Sequence, residues 1–308
     1  MKIQLTLDVF SGRPNPTLTL EGKDAADFLR HAEPDGRLAA RTAETPFGET
    51  PFRLGYRGLL VEQAGELNPD FPALFTLTPE HIYSGDLIGS VADRGLDSFV
   101  LDRLPDFRNT RGLGRGFRDF LREDMLLRRK ELETIGPRIF EPPVLEILQP
   151  CSCAPLYEPS WWNVPAIQPR NNCYNYATNY RSDTFAQPGR AAGAMYTNYT
   201  SCVVPAGQRS VRDGAVADCL IDTPNADNHC PKDGHLVALV IAPGPVFKDF
   251  HWYRKGKNGR WSHKPGGGAV THLDNAGAVI SDPRTANRGY YTQFCTFMKV
   301  MHGHIKLN

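Results

Sequence analysis

The sequence of 308 residues has no long hydrophobic run and no excess of charge of either sign. No stretch approaches the 18 apolar residues that mark a membrane-spanning helix. The 35 Lys and Arg residues are balanced by 34 Asp and Glu residues, whereas nucleic-acid-binding domains usually carry a strong basic excess. We therefore expect a protein whose partners include neither membranes nor nucleic acids.

The start of the chain also lacks the apolar segment and small-residue cleavage site of a secretory signal peptide. This predicts a cytoplasmic protein, and secretion by a route that needs no such signal stays open. In that compartment the seven cysteines are expected to be mostly reduced. The 28 glycines and 25 prolines favour short elements joined by many loops and disfavour long helical bundles.

The pattern of apolar residues divides the chain into three segments and predicts an α+β fold. Residues 1–135 predict a smaller N-terminal α+β domain, with a β-hairpin near the start and an amphipathic helix near the end. Residues 136–165 are rich in proline, which excludes a continuous helix and predicts a linker or a wrapping segment. Residues 166–308 predict a catalytic domain in which a short helix precedes several antiparallel strands.

Cys173 is the strongest candidate for a nucleophile. It follows Asn171 and Asn172, and asparagine is a preferred cap at the start of a helix. A thiol in the first helical turn lies at the positive end of the helix dipole, which lowers its pKa and raises its thiolate fraction. The alternative is a buried cysteine with a purely structural role.

Two histidines are expected on one predicted hairpin further along the chain. Asn258-Gly259 lies between two aromatic-rich runs and predicts a tight turn. With a loop at residues 255–259, His263 lies directly opposite His251, so one imidazole can orient the other. We interpret His251 as the general base and His263 as its orienting partner. A register shift of one residue would instead place Ser262 there, and Asp274 is an alternative orienting residue.

A helix-opening cysteine followed by two strand-borne histidines resembles the papain-like cysteine peptidase superfamily. The order Cys173, His251, His263 is most similar to that of the NlpC-type bacterial cell-wall peptidases, although Asn172-Cys173-Tyr174 replaces their usual Asp-Cys-Ser. The same segments also resemble uncharacterised bacterial papain-like homologues. Some of these form amides, as in the thiotemplated assembly of polythioamide antibiotics.

The resemblance implies a papain-like C-terminal domain with the nucleophile helix packed on an antiparallel sheet. It also implies an oxyanion donor just before the nucleophile, for which Gln168, Asn171 and the backbone N–H of Cys173 are candidates. No cofactor is implied. The expected activity is acyl transfer through an acyl-thioester, forming or cleaving an amide bond. The alternatives are a cysteine peptidase or effector toxin, and a binding module without catalysis.

Aromatic residues near the predicted site suggest an apolar, sheltered substrate cleft, lined by Trp161, Trp162, Tyr174 and Trp252. Exclusion of water favours transfer of the acyl group to an amine over hydrolysis. The expected substrate is a small-molecule or peptide acyl group, and it could be bound to a carrier protein. A metal site is not expected, because the spacing of Cys219, His229, Cys230 and His235 does not fit a zinc site.

Overall fold

A computed structural model describes residues 1–40, 53–78, 80–85, 87–91, 95–110, 113, 116–135 and 150–308. Within these residues the fold is mixed α and β, and all strand pairs are antiparallel. The chain forms two compact units. The first unit comprises Met1–Val9, Pro14–Pro51 and Tyr56–Glu141, and the second comprises Phe10–Arg13, Phe52–Gly55 and Pro142–Asn308.

The first unit contains, in the described residues, one antiparallel sheet and three helices. Its strands are β1 (Lys2–Asp8), β2 (Thr17–Glu21), β3 (Ala39–Ala40), β4 (Gly58–Ala64), β5 (Leu74–Leu77), β6 (His81–Ser84) and β7 (Leu87–Ser90). Its helices are α1 (Gly22–His31), α2 (Leu96–Arg103) and α3 (Phe117–Ile135). The strand order is β2-β1-β4-β5-β6-β7-β3. The predicted hairpin is the β1–β2 pair, and the predicted amphipathic helix is α3, so both are confirmed.

Alternation along β1 explains how this sheet buries one face. Ile3, Leu5 and Leu7 point into the core, while Gln4 is exposed and Thr6 is half-buried. At the end of β1, the buried carboxylate of Asp8 accepts hydrogen bonds from Nε of Arg57 at 3.0 Å and from Nη2 at 2.6 Å. This two-point contact compensates for the burial of both charges.

The second unit contains, in the described residues, a five-stranded antiparallel sheet and three short helices. The strands are β8 (Ile221–Asp222), β9 (His235–Pro243), β10 (Lys248–Lys255), β11 (Trp261–His263) and β12 (Gln293–Val300). The helices are α4 (Pro159–Trp162), α5 (Cys173–Thr178) and α6 (Val211–Ala217). The strand order is β11-β10-β9-β12-β8, and α5 packs against β10.

The central strand β9 explains why this sheet lies in the core of its unit. Its apolar run Leu236–Ile241 is buried on both faces, as the unbroken hydrophobic sequence predicts. Its neighbour β10 contributes the buried rings of Phe250 and Trp252 to the same core cluster, which also contains Cys173.

Two disulfides cross-link the second unit. Cys151 is bonded to Cys230 and Cys202 to Cys295. The remaining three cysteines, Cys153, Cys173 and Cys219, are free thiols. The expectation that the cysteines are mostly reduced is therefore wrong for these four. That expectation came from a predicted compartment, since the spacing of cysteines does not determine their pairing.

Of the predicted linker, residues 150–165 lie in the described part of the chain, and residues 136–149 lie outside it. Residues 150–165 belong to the second unit. The backbone N–H of Cys151 donates to the carbonyl of Lys257 at 3.0 Å, and the N–H of Lys257 donates to the carbonyl of Pro155 at 2.9 Å. These two hydrogen bonds attach this part of the linker to the second unit. Among the helices of the described residues, none is long and apolar enough to cross a membrane.

Candidate functional site

Cys173 is the first residue of α5, as the sequence predicts. The side chain of Asn172 accepts the backbone N–H groups of Tyr174 and Asn175, each at 3.1 Å. The side chain of Asn175 in turn accepts the N–H of Asn172, which completes a reciprocal capping box. The cap therefore fixes the thiol at the start of the helix, where α5 packs against β10.

The electrostatic environment of this thiol differs from the expectation. Burial raises the pKa of Cys173 well above its usual range, and the nearby carboxylate of Asp249 raises it further. The Trp252 backbone, the Ser11 side chain and the charge of Lys264 act in the opposite direction. The predicted lowering of the pKa is therefore wrong for this structure. A helix of six residues has a weak dipole, and the loss of water around the thiolate outweighs it.

The two predicted histidines meet on one face of the sheet, but not through the predicted pairing. His263 lies opposite Tyr253 in the β10–β11 ladder, and Lys255 lies opposite Trp261. The register is thus shifted by two residues from the one expected. Because side chains alternate with a period of two, the shift keeps both histidines on the same face. Nε2 of His251 lies 2.8 Å from Nδ1 of His263.

A chain of hydrogen bonds runs from the Ser11 hydroxyl through both rings to a backbone carbonyl. Nε2 of His263 lies 2.9 Å from the carbonyl oxygen of Leu273, which can only accept, so this nitrogen carries the proton. With neutral rings, Nδ1 of His263 then accepts from Nε2 of His251. Nδ1 of His251 accepts from the hydroxyl of Ser11 at 2.5 Å. His251 therefore presents an unprotonated nitrogen toward Ser11, whose side chain also acts to lower the pKa of Cys173.

Ser11 reaches this site on the loop between β1 and β2, whose residues Phe10–Arg13 belong to the second unit. We call these four residues the strap. The buried carboxylate of Asp249 accepts the backbone N–H of Ser11 at 2.5 Å, of Gly12 at 3.3 Å and of Arg13 at 3.0 Å. Three consecutive N–H groups directed at one carboxylate form an anion-binding nest. The hydroxyl of Tyr291 donates to the same carboxylate at 2.5 Å.

The strap carbonyl beside Cys173 is held by two side-chain amides. The carbonyl oxygen of Gly12 accepts Nδ2 of Asn172 at 3.0 Å and Nε2 of Gln187 at 2.8 Å. The hydroxyl of Tyr196 donates to Oε1 of Gln187 at 2.6 Å and so fixes the orientation of that amide. We call the Asn172 and Gln187 amides the amide cradle. Two fixed donors at one carbonyl oxygen form the arrangement that stabilises an oxyanion.

The predicted oxyanion donors, Gln168 and Asn171, are engaged elsewhere. Nε2 of Gln168 donates to the carbonyl of Gly267 at 3.2 Å. Nδ2 of Asn171 donates to the carbonyl of Ile167 at 3.0 Å and to the carboxylate of Asp183 at 2.6 Å. The two amides of the cradle belong instead to Asn172, the residue after Asn171, and to Gln187, which follows α5 in the sequence.

The aromatic residues predicted to line a cleft are mainly part of the core. Trp162 is fully buried and packs edge-on against Tyr176, with ring centroids 5.2 Å apart. Tyr174 and Trp252 are fully buried as well, with ring centroids 5.4 Å apart. Trp161 alone among the four predicted cleft residues is exposed. The prediction that Trp162, Tyr174 and Trp252 line a sheltered cleft is therefore wrong, because buried core residues and the lining of a substrate cleft have the same sequence signature.

The remaining alternatives have structural explanations. Asp274 accepts the backbone N–H groups of Ala276, Ala278 and Asn287, so it organises a turn, and His263 takes the place beside His251. Within the described residues, no group of three or more His, Cys, Asp or Glu side chains is arranged to hold a metal ion. Cys230, one member of the rejected zinc cluster, is in a disulfide.

Sequence reasoning missed Ser11, Asp249 and Gln187. Ser11 lies in Ser-Gly-Arg-Pro-Asn-Pro, which is typical of a turn, and it is separated from His251 by 240 positions. Asp249 did offer a signal, since a carboxylate two residues before His251 points to the same face of β10.

The fold and the site therefore define the class of this protein. It is a mixed α and β protein with a buried cluster of Cys173, Ser11, His251 and His263. No family model matches the chain, and no solved structure matches it. Insoluble matrix shell protein 1 of Ruditapes philippinarum is 42% identical to the chain over 154 residues. The match covers 48% of this chain and 91% of that protein. The chain belongs to the family of this shell protein.

Proposed function

We propose that the chain is a cysteine-dependent acyl-transfer enzyme with a papain-like second unit. Cys173 is the nucleophile, His251 is the general base and acid, and His263 orients His251. The observation that carries the proposal is the directed hydrogen-bond chain that ends on the unprotonated Nδ1 of His251, next to the Ser11 side chain that also acts on the pKa of Cys173. A capped helix with an N-terminal cysteine, packed on an antiparallel sheet with two histidines, supports the papain-like assignment.

The chemistry follows from these positions. The thiol proton moves to Nδ1 of His251, and the thiolate attacks the carbonyl carbon of an acyl donor. The negative charge that develops on the carbonyl oxygen is stabilised by the amide cradle. The tetrahedral intermediate collapses when the bond to the leaving group breaks, and His251 returns the proton to that group. The product is an acyl-thioester on Cys173.

The thioester is then resolved by water or by an amine. His251 removes a proton from the attacking group, and the thiolate of Cys173 leaves. Transfer to an amine is favoured where water is excluded, and Cys173, His251 and His263 are all fully buried here. We therefore favour amide formation over hydrolysis, with a small-molecule or peptide acyl donor. A peptidase that uses the same residues is the hydrolytic variant of this proposal.

Intact-protein mass spectrometry with an N-acetylcysteamine acyl thioester tests this proposal. We expect the mass of one acyl group to be added to the full chain and mapped to Cys173. Cys173→Ala should remove this adduct, while Cys219→Ala, which removes an exposed free thiol, should not. Acylation confined to Cys153 and Cys219 would contradict the proposal. Acylation of Ser11 would assign the nucleophile to the strap instead.

The name of the related shell protein favours a second function. A protein named as an insoluble matrix component suggests a structural or interaction role, in which the buried cluster only stabilises the second unit. The high pKa of Cys173 agrees with that role as well as with a resting enzyme. The two functions differ in one outcome, because a purely structural protein forms no acyl-thioester.

The compartment is also part of the proposal. Two disulfides are typical of proteins that fold in an oxidising environment. We therefore propose that the second unit acquires its disulfides in an oxidising compartment. Quantification of free thiols in the native, unreduced chain tests this point. Three reactive thiols after denaturation are expected, and seven would contradict it.

A further inference from the structure

We infer that the strap occupies the acyl-donor position of the site. The strap therefore slows acyl transfer in the full chain, and the site is selective for a glycyl carbonyl. This inference rests on the proposed function, since it names the substrate class and the regulation of the same site. It is carried by the three contacts that the strap makes with the reacting groups, the amide cradle and Phe250.

The first contact concerns the reacting groups. The hydroxyl of Ser11 lies 2.5 Å from Nδ1 of His251, and its side chain acts to lower the pKa of Cys173. It therefore occupies the unprotonated nitrogen of His251, where the group that exchanges a proton with this residue must lie during acyl transfer. While Ser11 is in place, the thiol stays buried and its pKa stays high. The thiol is thus protonated at neutral pH and reacts slowly in the full chain.

The second contact concerns the carbonyl. The oxygen of Gly12 fills the amide cradle, which holds it with both Asn172 and Gln187. An incoming acyl donor must place its own carbonyl oxygen at the same two donors. The strap and a substrate therefore cannot bind at the same time, and the strap competes with the substrate by direct occupancy.

The third contact explains the expected selectivity for glycine. A Cβ atom at position 12 would lie 2.4 Å from two ring carbons of Phe250 and 2.5 Å from its backbone oxygen. The backbone of β10 cannot move aside without breaking the sheet, so a side chain is excluded at this point. An acyl donor that follows the course of the strap must then present glycine at the cradle.

The residue after the glycine is also recognised. The guanidinium of Arg13 lies 4.3 Å from the ring centroid of Phe10 and 4.5 Å from that of Tyr199. Its Nη1 donates to the carbonyl of Lys248 at 2.6 Å. The backbone N–H groups of the strap meet the carboxylate of Asp249. We therefore assign a peptide with a Gly-Arg sequence as the preferred class of ligand.

The test compares Gly12→Ala with Gly36→Ala in the full chain. A Cβ at Gly36 meets nothing within 4 Å, and neither glycine has a positive φ, so only the first variant introduces a clash. We expect Gly12→Ala to raise the iodoacetamide labelling rate of Cys173 by about tenfold or more, as the occluded state becomes less populated. Gly36→Ala should leave the rate at the wild-type value. Labelling is mapped by peptide mass spectrometry, with Cys153 and Cys219 as internal references.

A peptide added in trans provides the second arm. A synthetic peptide with the sequence of residues 8–15 should slow the labelling of Cys173 in Gly12→Ala, and the same peptide with alanine in place of glycine should not. Arg13→Ala loosens the strap without a clash, and it replaces Gly12→Ala if circular dichroism shows that the latter is unfolded. An unchanged labelling rate in a folded strap variant would overturn the inference, as would protection by both peptides.

Failure of the proposed function gives a different result. If Gly12→Ala exposes Cys173 and the glycine peptide protects it, but a glycyl thioester leaves no adduct, the strap is an occupant of a site without acyl-transfer chemistry. If the thioester acylates Cys173 equally in wild type and in Gly12→Ala, the site is an enzyme and the strap does not inhibit it.

Discussion

The hydroxyl of Ser11 lies 2.5 Å from Nδ1 of His251, although 240 positions separate the two residues in the sequence. This contact joins the first loop of the chain to the base of the proposed site. A serine at this distance from an unprotonated imidazole nitrogen could either transmit a proton or exclude other groups. The strap contacts favour exclusion, because the neighbouring Gly12 carbonyl is held in the amide cradle.

Substitution of Ser11 by alanine separates these two roles. If Ser11 excludes other groups, Ser11→Ala should raise the labelling rate of Cys173 by about tenfold, because the thiol and the imidazole can then approach each other. If it transmitted a proton, the same change should suppress thioester formation. The measurement is the initial rate of each reaction in the full chain. Ser152→Ala, an exposed serine beside the Cys151–Cys230 disulfide, is the matched control.

The proposed base predicts a large kinetic effect of His251. His251→Ala should lower the rate of thioester formation by about 10²–10⁴-fold, the usual contribution of a general acid–base residue. His263→Ala should cost less, about tenfold to a hundredfold, because it only orients the first ring. His302→Ala, which changes an exposed histidine, should retain the wild-type rate. Equal rates in His263→Ala and wild type would contradict the orienting role of that residue.

Acid should destabilise the second unit through His235. Burial lowers the pKa of this residue from 6.5 to about 3, with smaller effects from Arg254 and His302. Below pH 6.5 the unfolded chain binds a proton that the folded chain does not bind, so stability falls as the pH falls from 6.5 to about 3. The full loss is on the order of 5 kcal/mol.

Chemical denaturation between pH 7 and pH 4 measures this loss. His235→Gln keeps a donor near the carbonyl of Ala177, which accepts from Nε2 at 2.7 Å in the structure, and has no titrating ring. We expect a flatter dependence of stability on pH in this variant. The same slope in His235→Gln as in wild type would show that other groups cause the acid sensitivity.

Reduction should lower the stability of the second unit. Each disulfide closes a long loop, with sequence separations of 79 and 93 residues. The chain-entropy model gives about 4–5 kcal/mol of stabilisation for a loop of this size. We expect the melting temperature to fall on addition of a phosphine reductant, as measured by differential scanning fluorimetry. The double variant Cys153→Ala and Cys219→Ala, which lacks only free exposed thiols, should melt like wild type before reduction.

Much of the second unit could be predicted because local patterns determine it. The apolar run of β9, the asparagine cap before Cys173 and the Asn-Gly turn each depend on a few adjacent residues. The face shared by His251 and His263 was also predictable, since a register error of two leaves every side chain on its original face.

The rest depended on contacts that are distant in sequence. Nothing local distinguishes Ser11 in a proline-rich turn from any other turn serine. The burial of Trp162 and Trp252 follows from packing across the unit, and the sequence shows only that they are apolar. The sign of the pKa shift of Cys173 was missed for the same reason, since the amount of water removed from a thiol is set by all the elements around it.

The placement of the strap has a practical consequence for dissecting this protein. Phe10–Arg13 is separated along the chain from the main part of its unit, which begins at Pro142. A fragment cloned from residue 142 onward would therefore be incomplete, and the carboxylate of Asp249 would face an empty space instead of three amide donors. The second unit is therefore assembled from separate segments of the chain, and no single contiguous stretch of sequence contains it.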